Sequence, residues 1–304
     1  MLKELSRIQI VDSGIDDSDG KKVPFAVLKD ETILYGQLPD ALEKRIYFKN
    51  KNKFPSSITE DTIRVAMDVV LRYLYPHSMP HLTMPYPLKK RKAFHPQHVG
   101  TIEDIKGMSD SEKKELKGIY TPKKEESFLD IGAYMGYGVV RLGKELGNDT
   151  HIIAVEADPN AYDLLKRNVS VNSLSNVTLI QRAIWNQSNL ALDMVKSTRQ
   201  ANSLISGIVD PNNTESVTTI TTDDIINLIG LQRIDLIGLT VNGAEVEAVE
   251  GMKKAINNAE KIRLCIAGWY RRDKKRIYEI ISPILRQYGL KVKIGPNGGV
   301  FAWK

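Results

Sequence analysis

One cysteine, Cys265, stands in 304 residues, so no internal disulfide can form. It lies in the apolar run Ile262-Arg-Leu-Cys-Ile-Ala267, which reads as a buried strand thiol rather than a nucleophile. No apolar run approaches the roughly 20 residues that a membrane-crossing helix needs, so no membrane partner is expected. The first residues, Met1-Leu-Lys-Glu-Leu-Ser-Arg-Ile8, lack the basic-then-apolar layout of a secretory leader, and a reduced, cytoplasmic protein is the expectation. Internal repeats are missing too. Apolar residues make up 42% and charged residues 26%, which excludes wholesale disorder. The net charge of +6 and pI of about 9.1 could draw an anionic partner. The two basic clusters noted, Lys49 to Lys53 and Lys89 to Lys92, carry no interleaved stacking aromatics, so they read as solvated loops and nucleic acid is not the expected partner.

Residues 1–120 look irregular, and a cap or acceptor-binding region is expected there. Ser57-Ile-Thr-Glu60 has the form of a capping box, predicting a helix through Ile63, Met67, Val70 and Leu74 until Pro76 stops it. Four of the five histidines, His77, His81, His95 and His98, fall within or two residues beyond the proline-studded stretch from Pro76 to Pro96. They could form a metal site or a lid carrying a base, but the prolines disfavour the helices that the spacing would require, and polar loop histidines are the simpler reading. A second capping box, Ser109-Asp-Ser-Glu112, opens a helix that should end at Gly118.

From residue 127 the pattern becomes a strand–helix alternation. Strands are read at Ser127–Ile131, Ile152–Glu156, Val177–Ile180, Ile234–Leu239 and Ile262–Ala267, with extended segments near 189–195 and 216–221. Amphipathic helices intervene, one of them from Thr222 to Gly230, another carrying Val249, Met252 and Ile256. The clearest carries Ile277, Ile280, Ile281, Ile284, Leu285 and Tyr288 on one face. A hairpin around Pro296-Asn-Gly-Gly299 closes the chain. Short apolar strands between amphipathic helices mean a doubly wound, mostly parallel α/β sheet over residues 121–304, with an antiparallel C-terminal hairpin. Ligands of such sheets bind beyond the C-terminal strand ends.

Beyond the first strand stands Asp130-Ile-Gly132-Ala-Tyr-Met-Gly136-Tyr-Gly138. Its glycines permit a tight strand-to-helix bend and close approach of a ligand to the main chain. The spacing is D-x-G-x-x-x-G rather than G-x-G-x-x-G, which argues against a nicotinamide-dependent oxidoreductase. The second strand ends in Glu156, then Ala157-Asp158-Pro159. An acid there can accept hydrogen bonds from both hydroxyls of a ribose. An ordinary turn, a solvated carboxylate and an Asp158 that merely caps the next helix are the plainer readings. The paired features favour an adenosine ligand.

These motifs, with Val177-Thr-Leu-Ile-Gln-Arg-Ala-Ile184, Thr221-Thr-Asp-Asp224, Ile234-Asp-Leu-Ile-Gly-Leu-Thr-Val-Asn-Gly-Ala-Glu245 and Gly251-Met252, resemble the FkbM-type methyltransferases. The resemblance implies a seven-stranded Rossmann-like methyltransferase sheet, S-adenosyl-L-methionine as cofactor, and O-methylation of a small-molecule or glycan hydroxyl. It places Asp130, Gly132 and Gly136, with Ala133 and Tyr134 in the same bend, around the methionine part. Glu156 and the adjoining Ala157 would hold the ribose, while Gln181 to Ala183 and Asn202-Ser203 would lie toward the adenine. The family commonly reads K-x-D-x-E-G-A-E where this chain has Gly238, Thr240, Asn242, Gly243, Ala244 and Glu245. An acid often ending the fifth strand is replaced within Ala267-Gly-Trp-Tyr270. With those carboxylates missing, no metal is expected there, and Asn242, Glu245 and Tyr270 become the candidates for contacting the acceptor. Glu245 could equally be a first-turn helix carboxylate. A non-catalytic module that keeps the cofactor fold is the alternative. A nucleic-acid methyltransferase is less favoured, because no N/D-P-P-Y/F motif follows the fourth strand.

Overall fold

The computed structural model describes residues 10–69, 73, 109–120, 122–196, 202–205, 213–295 and 298–304. Val70, Leu74, the lysine-rich 89–92 segment and the histidine-bearing 76–98 stretch lie outside the described residues.

The N-terminal region is more regular than its sequence suggests. Strands β1 (Ile10–Asp16), β2 (Val23–Leu28) and β3 (Ile33–Tyr35) form an antiparallel sheet in the order β1-β2-β3. The sequence of β1, Ile-Val-Asp-Ser-Gly-Ile-Asp, lacks clean apolar alternation, which hides it as a strand. Helices α1 (Ala41–Asn50) and α2 (Ile63–Asp68) follow. The capping box expected at Ser57 does not form. Ser57 Oγ instead donates to the Ile10 carbonyl at 2.9 Å, and α2 starts only after Thr62. The backbone at the start of β1 has taken the hydroxyl that the helix would have used. The second box does form at α3 (Asp110–Tyr120), where Ser109 Oγ accepts from the Glu112 N–H and the Glu112 carboxylate accepts from the Ser109 N–H. This helix runs past Gly118, because Leu116 and Tyr120 are buried, Tyr120 with its ring 5.0 Å from that of Phe301.

The remaining elements are β4 (Ser127–Ile131), α4 (Tyr137–Leu146), β5 (His151–Glu156), α5 (Pro159–Val171), β6 (Val177–Gln181), β7 (Ala183–Ile184), β8 (Ala191–Val195), β9 (Thr214–Ile220), α6 (Thr222–Ile229) and β10 (Leu236–Leu239). After them come α7 (Glu245–Glu250), α8 (Lys253–Asn258), β11 (Arg263–Ile266), β12 (Arg271–Arg272), β13 (Lys275–Arg276), α9 (Ile277–Gln287), β14 (Lys291–Ile294) and β15 (Val300–Trp303). The central sheet has seven strands in the order β14-β15-β11-β10-β4-β5-β6. β11, β10, β4, β5 and β6 run parallel, and β15 and β14 add an antiparallel edge. The doubly wound fold is therefore present, terminal hairpin included.

Strand alternation divides the core between the two faces of this sheet. Leu129, Ile131, Ile153, Val155, Ile237 and Leu264 pack on one face with Ile256, Ile277, Ile281 and Leu285 of the helices. Phe128, Ile152, Ala154, Cys265 and Phe301 pack on the other with Leu116, Val139, Leu142 and Leu165. The helix expected around Val249, Met252 and Ile256 is split into α7 and α8. Gly251 lies so close to the Trp185 carbonyl that a Cβ would come within 2.2 Å, and the Asp223 carboxylate caps α8 through the Lys254 and Ala255 N–H groups. The Thr221-Thr-Asp-Asp224 run thus serves two helices, since Thr221 Oγ1 also caps α6. The N-terminal sheet is stitched to the main one by α5. Asn168 Oδ1 accepts from the Tyr35 N–H at 2.7 Å, its amide donates to the Tyr35 and Met135 carbonyls, and Tyr137 Oη donates to the Tyr35 carbonyl.

Candidate active site

Beyond β4 the chain must turn from strand to helix within five residues, and three left-handed positions make the bend: Gly132 (φ +84), Tyr134 (φ +54) and Gly136 (φ +76). The Gly132 and Ala133 N–H groups both donate to the Val155 carbonyl, at 2.9 and 3.0 Å, so the bend is pinned to the end of β5. Gly136 caps α4 against Leu165, where a Cβ would come within 2.2 Å of Cδ1.

Glu156, half-buried at the end of β5, faces this bend. Its Oε2 accepts the Tyr134 N–H at 2.7 Å and its Oε1 accepts the Asp158 N–H at 2.9 Å. Burial raises its pKa, opposed by the N–H groups of Asp158, Tyr134 and Ala157. A carboxylate offers about four acceptor sites and these two bonds leave capacity for a vicinal diol. Asp158 caps α5 by accepting from the Asn160 and Ala161 N–H groups, so the plainer reading of that residue also holds. Asp130, one residue before the end of β4, faces the same side as Phe128. Its Oδ1 lies 3.6 Å from where a Cβ on Gly238 would sit, so the position facing it on β10 carries no side chain.

Gln181 ends β6 in register with Glu156 and is exposed. Ala183 is buried with Met194 and Val217, and Ala157 and Leu204 pack against that small apolar group. Asn202 and Ser203 reach both sides. The Asn202 amide donates to the Asp158 carboxylate, and Ser203 Oγ donates to the Asn242 carbonyl at 2.9 Å.

The acceptor candidates separate. Asn242, in a left-handed conformation (φ +55), donates from Nδ2 to the Asn202 carbonyl at 2.9 Å and accepts at Oδ1 from the Tyr270 hydroxyl. These two side chains, from beyond β10 and β11, meet. Glu245 does not join them. It is fully buried, with Oε1 accepting from the Val241 N–H at 3.1 Å and Oε2 from the Gly243 N–H at 2.8 Å. Burial pushes its pKa up to about 7. Its placement is that of the first-turn helix carboxylate. Thr240, which the sequence marks only as a departure from the family pattern and not as a site residue, has its Oγ1 buried with no hydrogen-bond partner among the described residues. Sequence reasoning overlooked the hairpin that follows Tyr270, although the run Arg271-Arg-Asp-Lys-Lys-Arg276 was in plain view. Among the described residues no group of three or more His, Cys, Asp and Glu side chains is placed to hold a metal ion. Nor is any helix long and apolar enough to cross a membrane.

A glycine bend, a strand-end carboxylate with acceptor capacity to spare and an orphaned hydroxyl at the C-terminal ends of a doubly wound sheet suit a nucleoside carrying a charged tail. With that sheet order they define the class of Rossmann-like, S-adenosylmethionine-dependent methyltransferases. The model of the methyltransferase FkbM domain matches residues 130–288, and the chain belongs to that family. No curated protein matches it. Similar solved structures include a SAM-dependent methyltransferase from Aquifex aeolicus, at 16% identity, covering 64% of this chain and 89% of that one with a TM-score of 0.37. Aeropyrum pernix fibrillarin with natively bound S-adenosyl-L-methionine is 12% identical, with 60% and 66% covered and a TM-score of 0.37. A putative O-methyltransferase from Klebsiella pneumoniae is 13% identical, with 59% and 72% covered and a TM-score of 0.34. The protein is a methyltransferase and its cofactor is S-adenosyl-L-methionine.

Proposed function

We propose that this enzyme methylates a hydroxyl of a small-molecule or glycan acceptor in the cytoplasm. In this reading residues 1–120 shape the acceptor side and residues 121–304 form the catalytic domain. The cofactor supplies an electrophilic methyl group on a sulfonium sulfur. Gly132, Ala133, Tyr134 and Gly136, with Asp130 beneath them, would line its methionine part, and Thr240 Oγ1 is available to it. Glu156 would take the ribose hydroxyls, and Ala157, Gln181 and Ala183 would flank the adenine. Asn242 and Tyr270 would orient the acceptor oxygen for in-line attack on the methyl carbon, with S-adenosylhomocysteine leaving and the hydroxyl proton released to solvent, and positioning would supply much of the rate. Glu245 would act through them as a positioning residue, holding the 241–243 turn from below.

The observation that carries this reading is the closure of Glu156 onto the Tyr134 N–H, linked to the Asn242–Tyr270 pair through Asn202, which bonds both Asp158 and Asn242. Isothermal titration with S-adenosylmethionine and S-adenosylhomocysteine tests the cofactor half, and failure of the wild-type protein to bind either would end it. Transfer of labelled methyl groups into fractionated extract, followed by base-stable ether linkage in the product, tests the acceptor half. Binding without any transfer would favour the non-catalytic module instead.

A further inference from the structure

Tyr270 leads directly into a short β hairpin, β12 and β13, that stands on the rim beyond the C-terminal end of β11. Residues 271–276 hold five cationic side chains and one carboxylate. The register places Arg271 opposite Arg276 and Arg272 opposite Lys275. Like charges directly opposed across strands are destabilising, so local pairing alone does not explain this sequence. Rules of this kind are most often broken where a site is built.

The hairpin is fixed at its base and exposes charge at its tip, where the Arg271 guanidinium donates to the Lys274 carbonyl at 3.2 Å. Arg272 pairs with Glu247 of α7, the Arg276 guanidinium donates to the Trp269 carbonyl, and the Ile277 N–H returns to the Tyr270 carbonyl at 2.9 Å. Lys274 and Lys275 are exposed, and among the described residues no carboxylate pairs with either. Trp269 and Tyr270, half-buried with ring centroids 5.8 Å apart, directly precede the hairpin, and the Tyr270 hydroxyl donates to Asn242 Oδ1. A fixed base with unneutralised ammonium groups, joined through Tyr270 to Asn242, is suited to an anion attached to the acceptor.

Resting on the acceptor site proposed above, we infer that the β12–β13 hairpin is a phosphate-binding arm and that the methyl acceptor is a small phosphorylated molecule, carrying one phosphate or a diphosphate. Two-residue strands span only about 7 Å. That matches one or two phosphates better than the 6–10 phosphate contacts typical of a nucleic-acid tract.

The test is titration of inorganic pyrophosphate into the full-length protein saturated with S-adenosylhomocysteine. The variant pair is Lys274→Glu/Lys275→Glu, with Lys123→Glu/Lys124→Glu as an equally charged control on exposed residues before β4. Pyrophosphate should bind the wild type, and the hairpin variant should lose at least tenfold in affinity while the control stays within twofold. S-adenosylhomocysteine affinity should be unchanged in both, and the thermal midpoint should not fall in either; in the hairpin variant it should hold or rise, because Lys275→Glu sets an opposite charge across from Arg272. Equal losses in the two variants, or no pyrophosphate binding by cofactor-saturated wild type, would overturn the phosphate arm and leave the methyltransferase site standing. Failure of the wild type to bind S-adenosylhomocysteine would instead remove the site itself. A single-stranded RNA oligonucleotide that binds through Lys274 and Lys275 far more tightly than pyrophosphate, with a steep salt dependence, would overturn the small acceptor.

Discussion

The carbonyl of Thr240 closes on Gly132 so tightly that a Cβ there would lie 2.0 Å from the oxygen. The contact ties the bend beyond β4 to the chain leaving β10, and thus the proposed cofactor bend to the proposed acceptor turn. Gly132 also has φ +84, where an L side chain is strained. Gly132→Ala should lower stability by about 1–3 kcal/mol and weaken S-adenosylmethionine binding at least tenfold. Chemical denaturation and calorimetry measure the two. Wild-type affinity in the alanine variant would show that the bend is not the cofactor cradle.

Glu156→Ala should weaken cofactor binding by about 1–3 kcal/mol, because a charge-assisted acceptor is lost and the Tyr134 and Asp158 N–H groups lose their partner. Glu156→Gln, which keeps one acceptor oxygen, should fall between the two. Since burial raises the pKa of Glu156, it protonates on acidification at higher pH than an exposed glutamate, and affinity should fall as it does. An affinity independent of pH in the wild type and of residue 156 would refute the ribose assignment.

Glu245 supplies a pH dependence of stability with a definite sign. Its pKa rises from 4.5 to about 7 on folding, so between those values the folded state holds the proton more tightly than the unfolded state. Stability is therefore highest below about pH 4.5 as far as this group is concerned, and is lost as pH rises through 7, by about 3 kcal/mol. Urea midpoints between pH 5 and 8 should decline in the wild type and flatten in Glu245→Gln. Identical slopes in both proteins would remove Glu245 as the source.

Tyr270→Phe deletes the hydroxyl that Asn242 Oδ1 accepts. Methyl transfer should drop by about 2- to 10-fold, the worth of one hydrogen bond, while cofactor affinity stays unchanged. An equal loss in both quantities would place Tyr270 with the cofactor instead.

Cys265 is fully buried in β11, and burial raises its pKa well above the usual thiol value. Native protein should resist alkylation by iodoacetamide and take up one equivalent only on unfolding, as mass spectrometry would show. Rapid labelling at neutral pH in the folded state would contradict this.

Sequence by itself determined the alternating strands and helices from 127 onward and the bend-plus-acid pair of Gly132, Gly136 and Glu156. Strand period, helix period and turn chemistry are written into neighbouring residues and need no distant partner. Only tertiary structure decided that Ser57 serves β1 rather than a helix start, that Ile10–Tyr35 forms a sheet, and that Glu245 supports a turn while Asn242 meets Tyr270. Each of these depends on a group from another element or on burial, and neither is encoded in the spacing of residues along the chain. The basic run of the β12–β13 hairpin was visible as charge, but its place beside the proposed acceptor turn came only from contacts with α7 and the chain around Trp269 and Tyr270.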